Sequence, residues 1–494
     1  VEPEVLGYAA EAKDLLKLTG PIVLSSIFRN LLRTVDVLFV GRLGELELAG
    51  VALGALYCNG TATIGFGLGS TMSTLGSQAF GAKNPVAFSL ATQRTIVVVV
   101  GFALLLTPLW LFAEPILVAT KQEETVASLA AQYIRISLLG ILPEMLGATV
   151  NMYLASQGVV KPLFYTSVLA NVTNAFFNWL FIFGFGLGFT GAPIATVLTR
   201  WATLALRLAF VYFGKHTAMW TGWDKAAFSP QGLLDFLKLG VPSAVMICTE
   251  VWLFLVSAFM TGLLGPVQLA ANEITFNLYN LIFTVALGIS LATCIRVGNV
   301  IGAGHAQKAK MAAHTGLLLT FCTSILVAFV LAVTRHYVGF LYTDSQRVAH
   351  LVAAVIPIIC VFVVFDGIMI ISGGVLRGIG RQGLGSIVNV VGMWGLGLPL
   401  GGVLAFVVHL DIFGIWWGLA TGLASTGVVL FVYIYCMVDW EAEVRRAAAN
   451  THKAAGGGET AGAREEGGDI EMAEAPSGQS GKESEDDSAP TEQP

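Results

Sequence analysis

The chain has little of what soluble enzymes are built from. Only 12% of its 494 residues are Asp, Glu, Lys or Arg, against the quarter usual in soluble domains. Its six cysteines, Cys58, Cys248, Cys294, Cys322, Cys360 and Cys436, show neither a CxxC pair nor Cys/His spacing, which argues against disulfides and zinc. The seven histidines fall at span ends, in connecting stretches or in the tail, so an intramembrane enzyme built on histidine acid-base chemistry is not expected. No basic run suggests nucleic acid. The start is polar and acidic rather than a signal peptide, and it lacks an initiator Met; the expectation is that some N-terminal sequence is missing. GFGLG and GFGLGFTG resemble phosphate loops, but no Lys-Ser/Thr follows and no strand precedes them.

Apolar sequence fills the space those residues leave. The chain is 55% hydrophobic with a mean hydropathy of +0.75, the composition of a polytopic membrane protein. Twelve apolar spans can be cut, near 15–40, 47–73, 95–118, 128–154, 163–185, 190–213, 236–261, 269–295, 313–334, 349–372, 384–408 and 413–437. The expected fold is therefore all-α, twelve transmembrane helices in two six-helix lobes. The order would be an N-terminal segment (1–14), an N-terminal lobe (15–213), a connector (214–235), a C-terminal lobe (236–440) and a tail (441–494). Trp220, Trp223, Phe228 and Leu233 suggest that the connector is an amphipathic helix on the inner face. From Glu441 onward thirteen acids face five bases, and this Gly/Ser-rich tail is expected to be disordered. The rest of the chain is then net positive by three. Lys and Arg collect on the side bearing both termini, which predicts cytoplasmic termini.

The two lobes are copies of one unit. At an offset of 221, Leu16-Lys17-Leu18 meets Leu237-Lys238-Leu239, Pro21 meets Pro242, Gly67 meets Gly288 and Gly81-Ala82 meets Gly302-Ala303. At 222, Leu154 meets Leu376, Gly158 meets Gly380 and Glu144 meets Asp366. Six spans per copy give both the same orientation, a transporter architecture with a site between the lobes.

Glu250 is the first functional clue. It lies roughly 20 Å along its helix from Leu237, too deep to reach the headgroups, and an acid at that depth costs about 2.5–3.5 kcal/mol even on the milder scale. Ser243, Glu250 and Ser257 recur every seven residues, with Thr261 one turn on, a polar stripe suited to a cavity wall. Desolvation favours the neutral form of a carboxylic acid, so such a group can hold either a proton or a cationic substrate. Asp366 is similarly deep. Glu144 follows Pro143, and its alternative role is to satisfy backbone freed at a kink. Glu273, one turn before Asn277, is placed nearer the outer helix end. Asn171, Asn174 and Asn178 share a face that could serve only as interhelical glue. Arg207 reads as a snorkelling residue; Arg200 is deeper.

Arg29, Arg33 and Asp36 project from one face of the first helix. An arginine cannot shed its charge, and the cheaper arrangement pairs both with Asp36 and Glu144 as a locked network. If one arginine is left over, the cleft has a cationic side able to hold a carboxylate or phenolate.

The runs VGRLGELELAG, STLGSQAFGAKN, YLASQGVVKP, FIFGFGLGFTGAPIATV, IRVGNVIGAG and GGVLRGIGRQ, in this order, resemble multidrug and toxic compound extrusion (MATE) transporters, the eukaryotic branch most of all. The resemblance implies two lobes around a central cleft and export of small organic solutes, cations or drug-like metabolites, from a plasma or vacuolar membrane. It implies a proton as coupling ion in preference to sodium, no cofactor, and a monomer with the bilayer and a small solute as its partners. It places Glu250, Asp366 and Asn277 at the essential cavity positions of the eukaryotic branch. Asp36 resembles the ion-binding aspartate of prokaryotic members, with Asn174, Asn178 and Thr196 as its polar partners. Leu255 stands where a second glutamate is common, a loss that Glu273 would replace, and Arg29 and Arg33 depart from the family's uncharged residues. The rival reading is a lipid or organic-anion transporter, or flippase, of related fold, with Arg29, Arg33 and Arg200 receiving a phosphate.

Overall fold

The computed structural model describes residues 7–454. Helix α1 (Tyr8–Val40) is followed by α2 (Glu45–Gly81), α3 (Pro85–Leu111), α4 (Glu124–Ser156), α5 (Lys161–Gly184) and α6 (Gly188–Phe213). The second half runs α7 (Pro230–Gly262), α8 (Pro266–Gly302), α9 (Ala306–Leu341), α10 (Gln346–Ile379), α11 (Gln382–Val407) and α12 (Asp411–Met437). Among the described residues eleven of these are long and apolar enough to cross a membrane. Helix α1 makes the twelfth, as long as the others but charged at Arg29, Arg33 and Asp36.

Local chemistry sets the ends. Asn84 caps α3, its Oδ1 accepting from Ala87 N–H at 2.9 Å with Pro85 as the first residue. Ser229 and Pro230 do the same for α7. The repeat mates Gly158 and Gly380 follow α4 and α10 at φ 76° and 78°, a left-handed conformation that glycine adopts without a Cβ clash.

Each half has its own apolar core. Trp110, Ile134 and Met145 belong to one in the N-terminal half; Phe362, Trp416 and Leu423 belong to one in the C-terminal half. Between the halves the matched glycines are points of close backbone approach. A side chain at Gly67 would strike Ala244, and one at Gly288 would strike Val23. Gly81 abuts the Asn299 carbonyl, and Gly302 the Gln78 carbonyl. Each of these contacts maps onto its partner under the 221-residue offset. Gln78 Nε2 donates to Gly378 O at 2.9 Å, Gln382 Nε2 donates to Thr74 Oγ1 at 2.9 Å, and Arg296 grips Glu11 at 2.6 and 2.8 Å. These contacts gather at the side bearing the termini.

Three expectations change. The connector is not an amphipathic helix: 214–224 are turns and coil, a short turn of helix covers Lys225–Phe228, and α7 starts at Pro230. It is pinned instead to α3, where Gln93 Nε2 donates to Gly222 O at 2.6 Å and Gln93 Oε1 accepts from Asp224 N–H at 2.9 Å. The third span starts ten residues earlier than hydropathy suggested, because its polar first turns lie buried against protein. The first part of the expected tail is helical. Helix α13 (Trp440–Ala454) buries Trp440, Glu443, Ala447 and Thr451, and Glu443 pairs with Arg381 at 2.6 Å. Residues 455–494, with the rest of the expected disordered tail, lie outside the described residues.

Candidate functional site

Two polar groupings form, one in each half. In the C-terminal half α10 carries Asp366 into the core facing α8, where the Tyr279 hydroxyl donates to Asp366 Oδ2 at 3.1 Å. Glu250, on α7, approaches the same hydroxyl and lies within the field of the Arg377 guanidinium. Arg377 donates to Ser290 Oγ at 3.2 Å and is 9% exposed. Glu250 Oε1 and Asp366 Oδ1 are buried and have no hydrogen-bond partner within the protein. Each acid thus keeps an oxygen free to accept from a proton donor or a cation. Aromatic rings wall the site: Tyr279 packs against Phe254 and Phe362.

Glu273 and Asn277 are exposed on one face of α8. Further along that face Thr284 accepts from Asn30 of α1 at 3.0 Å. Glu273 and Asn277 are thus not among the groups that contact Asp366 or Glu250. Asn277 Nδ2 is spent on the Glu273 carbonyl at 2.8 Å. Leu255 lies against Gly60 of α2.

In the N-terminal half Asp36 is buried on α1 and held by α5 and α6. Asn178 Nδ2 donates to Oδ1 at 2.8 Å and Thr196 Oγ1 to Oδ2 at 3.0 Å. Asn174 Oδ1 accepts from Asn178 at 3.0 Å. Asn171 bonds the backbone of α1 at Phe28 O, as interhelical glue would, whereas Asn178 grips the Asp36 carboxylate. The arginine network does not form as expected. Glu144 pairs with Arg200 at 2.9 Å, whereas Arg29 donates to Ser26 Oγ at 2.7 Å and Arg33 to Asn59 Oδ1 at 3.2 Å. The reason lies in the packing of the half: Asn178 of α5 and Thr196 of α6 occupy both Asp36 oxygens, and Arg200 of α6 meets Glu144 first. Arg207 does not snorkel but turns inward against Gly147 of α4.

Sequence reasoning missed Tyr279, an aromatic among many, and Arg377, which it grouped with the basic residues of the terminus side.

The MatE family model matches residues 21–180 and 242–403, one block in each half. The chain belongs to the MATE family. Multidrug and toxin extrusion protein 1 of Homo sapiens is 34% identical over 443 residues, 89% of this chain and 77% of that protein. Multidrug and toxin extrusion protein 2 of Oryctolagus cuniculus is 33% identical over 437 residues, 88% of this chain and 72% of that one. The crystal structure of the eukaryotic MATE transporter AtDTX14 superposes with a TM-score of 0.85 at 27% identity, covering 90% of this chain and 100% of that one. This MATE protein is thus a multi-pass membrane transporter and not an enzyme.

Proposed function

We propose that the chain is a proton-coupled antiporter that exports small organic solutes by alternating access between its halves, working as a monomer with its termini in the cytoplasm of a plasma or vacuolar membrane. The observation that carries the reading is the Glu250–Tyr279–Asp366 grouping with its two unpartnered acid oxygens. A proton arriving from outside neutralises the pair. An organic cation arriving from the cytoplasm competes for the same charge, so loading one releases the other. Tyr279 gives the ionised state a donor, and Arg377 balances it from the terminus side. Glu273 and Asn277 line the approach. The closed terminus side and the grip of Arg296 on Glu11 correspond to the outward-facing member of the cycle. Asp36, held by Asn178 and Thr196, takes the part of an N-terminal polar anchor.

The test is uptake by purified protein in liposomes under an imposed pH gradient, with and without sodium. Glu250→Gln keeps a hydrogen-bonding amide but has no proton to release. It is expected to lose gradient-driven exchange, with Asp366→Asn nearly as severe. Wild-type rates in the Gln variant would remove Glu250 from the coupling step.

A further inference from the structure

The N-terminal half holds more positive charge than its acids can neutralise. Arg29, Arg33, Arg200 and Arg207 face Asp36 and Glu144, an excess of two. Both acids are already engaged, Glu144 by Arg200 and Asp36 by Asn178 and Thr196. That leaves Arg29 bonded to a serine, Arg33 to an asparagine, and Arg207 with its Nε buried and unpartnered. A guanidinium keeps its charge at any working pH, so this charge calls for an anion.

The space around it is shaped by the chain. Helix α4 has no side chain at Gly140 or Gly147, and a methyl at either would press on Arg200 or Arg207. The two glycines and the two arginines are each seven residues apart, so one groove on α4 admits two side chains from α6, with Glu144 between them. Arg29 stands close enough to Arg33, Arg207 and Glu144 to share their field. On α1 it lies on the face of Ile22, Ser25, Ser26, Asp36 and Val40, all buried, while Leu24, Leu31 and Leu38 are exposed on the opposite face. Arg29 and Arg33 are nonetheless accessible. Their accessibility therefore opens into the half rather than onto lipid.

We infer that Arg29, Arg33 and Arg207 form a carboxylate-binding subsite, and that the exported solutes include zwitterions whose carboxylate docks there while their ammonium answers to the acids of the C-terminal half. The second clause rests on the antiport reading; the subsite itself does not. Guanidinium–carboxylate pairs are charge-assisted and, away from bulk water, stronger than neutral ones. Glu144, held by Arg200, adds repulsion toward a bare anion, which favours a ligand that brings its own positive charge.

Two matched probes decide it: 4-(trimethylammoniomethyl)benzoate and its methyl ester, which share a permanent cation and differ in the carboxylate. Binding to the detergent-purified full chain by calorimetry is expected to favour the acid by about tenfold. In Arg29→Gln/Arg33→Gln the ratio of the two affinities falls to about one, and Arg33→Lys restores part of it. Size-exclusion profiles of each variant establish that it is folded; should the double variant not fold, Arg207→Gln is read in its place, with the same loss of preference expected. Equal affinity of the wild type for both probes, or an unchanged ratio in the variants, overturns the subsite. The same probes in liposomes separate the two readings: acid-selective binding without gradient-driven transport retains the subsite and refutes the antiport reading, whereas gradient-driven transport of the ester alone does the reverse.

Discussion

Asp36 changes its meaning most between sequence and structure. Reading α1 alone makes Arg33 its natural partner, and neutralising Asp36 would then strand a buried guanidinium. In the folded chain both its oxygens accept from Asn178 and Thr196, donors that tolerate an amide because the threonine hydroxyl can reverse its role. Asp36→Asn is therefore expected to fold, losing about 1 kcal/mol, and adding Arg33→Gln is expected to recover none of it. Melting of the single and double variants in detergent checks this; a sharp loss in the single variant repaired in the double would restore the locked network. Glu250 and Asp366 were legible as depth anomalies. Tyr279 and Arg377 were not, since a tyrosine or a helix-end arginine in an apolar span carries no cost that marks it out.

At the scale of the element, α13 and the Arg296–Glu11 pair tie the halves together at the terminus side. Helix α13 begins with Asp439 capping the Glu441 and Ala442 amides, packs Trp440 and Ala447 on the core shared by α8 and α9, and reaches Asp235 at the start of α7 through Lys453 at 2.9 Å. Ala454 packs instead on the core holding Phe88 and Tyr153. The helix thus braces both halves at the terminus side. Ending the chain before Trp440 is expected to lower the melting temperature and the amount of folded protein. Removing Gly456 onward is expected to change neither melting nor liposome transport, because an acidic, glycine-rich stretch has little apolar surface to bury. A large loss of turnover on the second deletion would contradict this. The bond between Arg296 and Glu11 joins α8 to α1 across the halves, and Glu11 is 1% exposed. Arg296→Gln leaves a buried carboxylate without its cation, which costs several kcal/mol in comparable pairs and disfavours the closed terminus side. Buried Cys294, two residues away, is then expected to react faster with a water-soluble maleimide; unchanged labelling would show that this pair does not hold the halves together.

At the scale of the molecule, turnover requires the two halves to separate where they now touch. Ser73 Oγ and Cys294 Sγ lie 3.5 Å apart across that contact, so Ser73→Cys places a second thiol within reach of disulfide formation. Oxidation is expected to stop transport, reduction to restore it, and Cys294→Ala in the same background to abolish the sensitivity. Full turnover by the cross-linked protein would refute rocking of the halves as the transport movement.

The duplicated unit, the twelve spans and the deep acids were set by the chain itself, because hydropathy, helical period and repeat offset are local properties that survive without knowing any neighbour. The repeat even named the contact points, since glycines kept at Gly67, Gly81, Gly288 and Gly302 mark backbones that approach one another. Which acid answers which base was decided only in three dimensions. Helices α5 and α6 bring Asn178 and Thr196 to Asp36 from more than a hundred residues away, and α6 brings Arg200 to Glu144 of α4; a charge takes the nearest well-aligned partner, not the nearest in sequence. The helical start of the tail has the same cause: α13 is too polar to be read as part of a core, and it folds because the side bearing the termini offers it an apolar seat and the charges of Arg381 and Asp235.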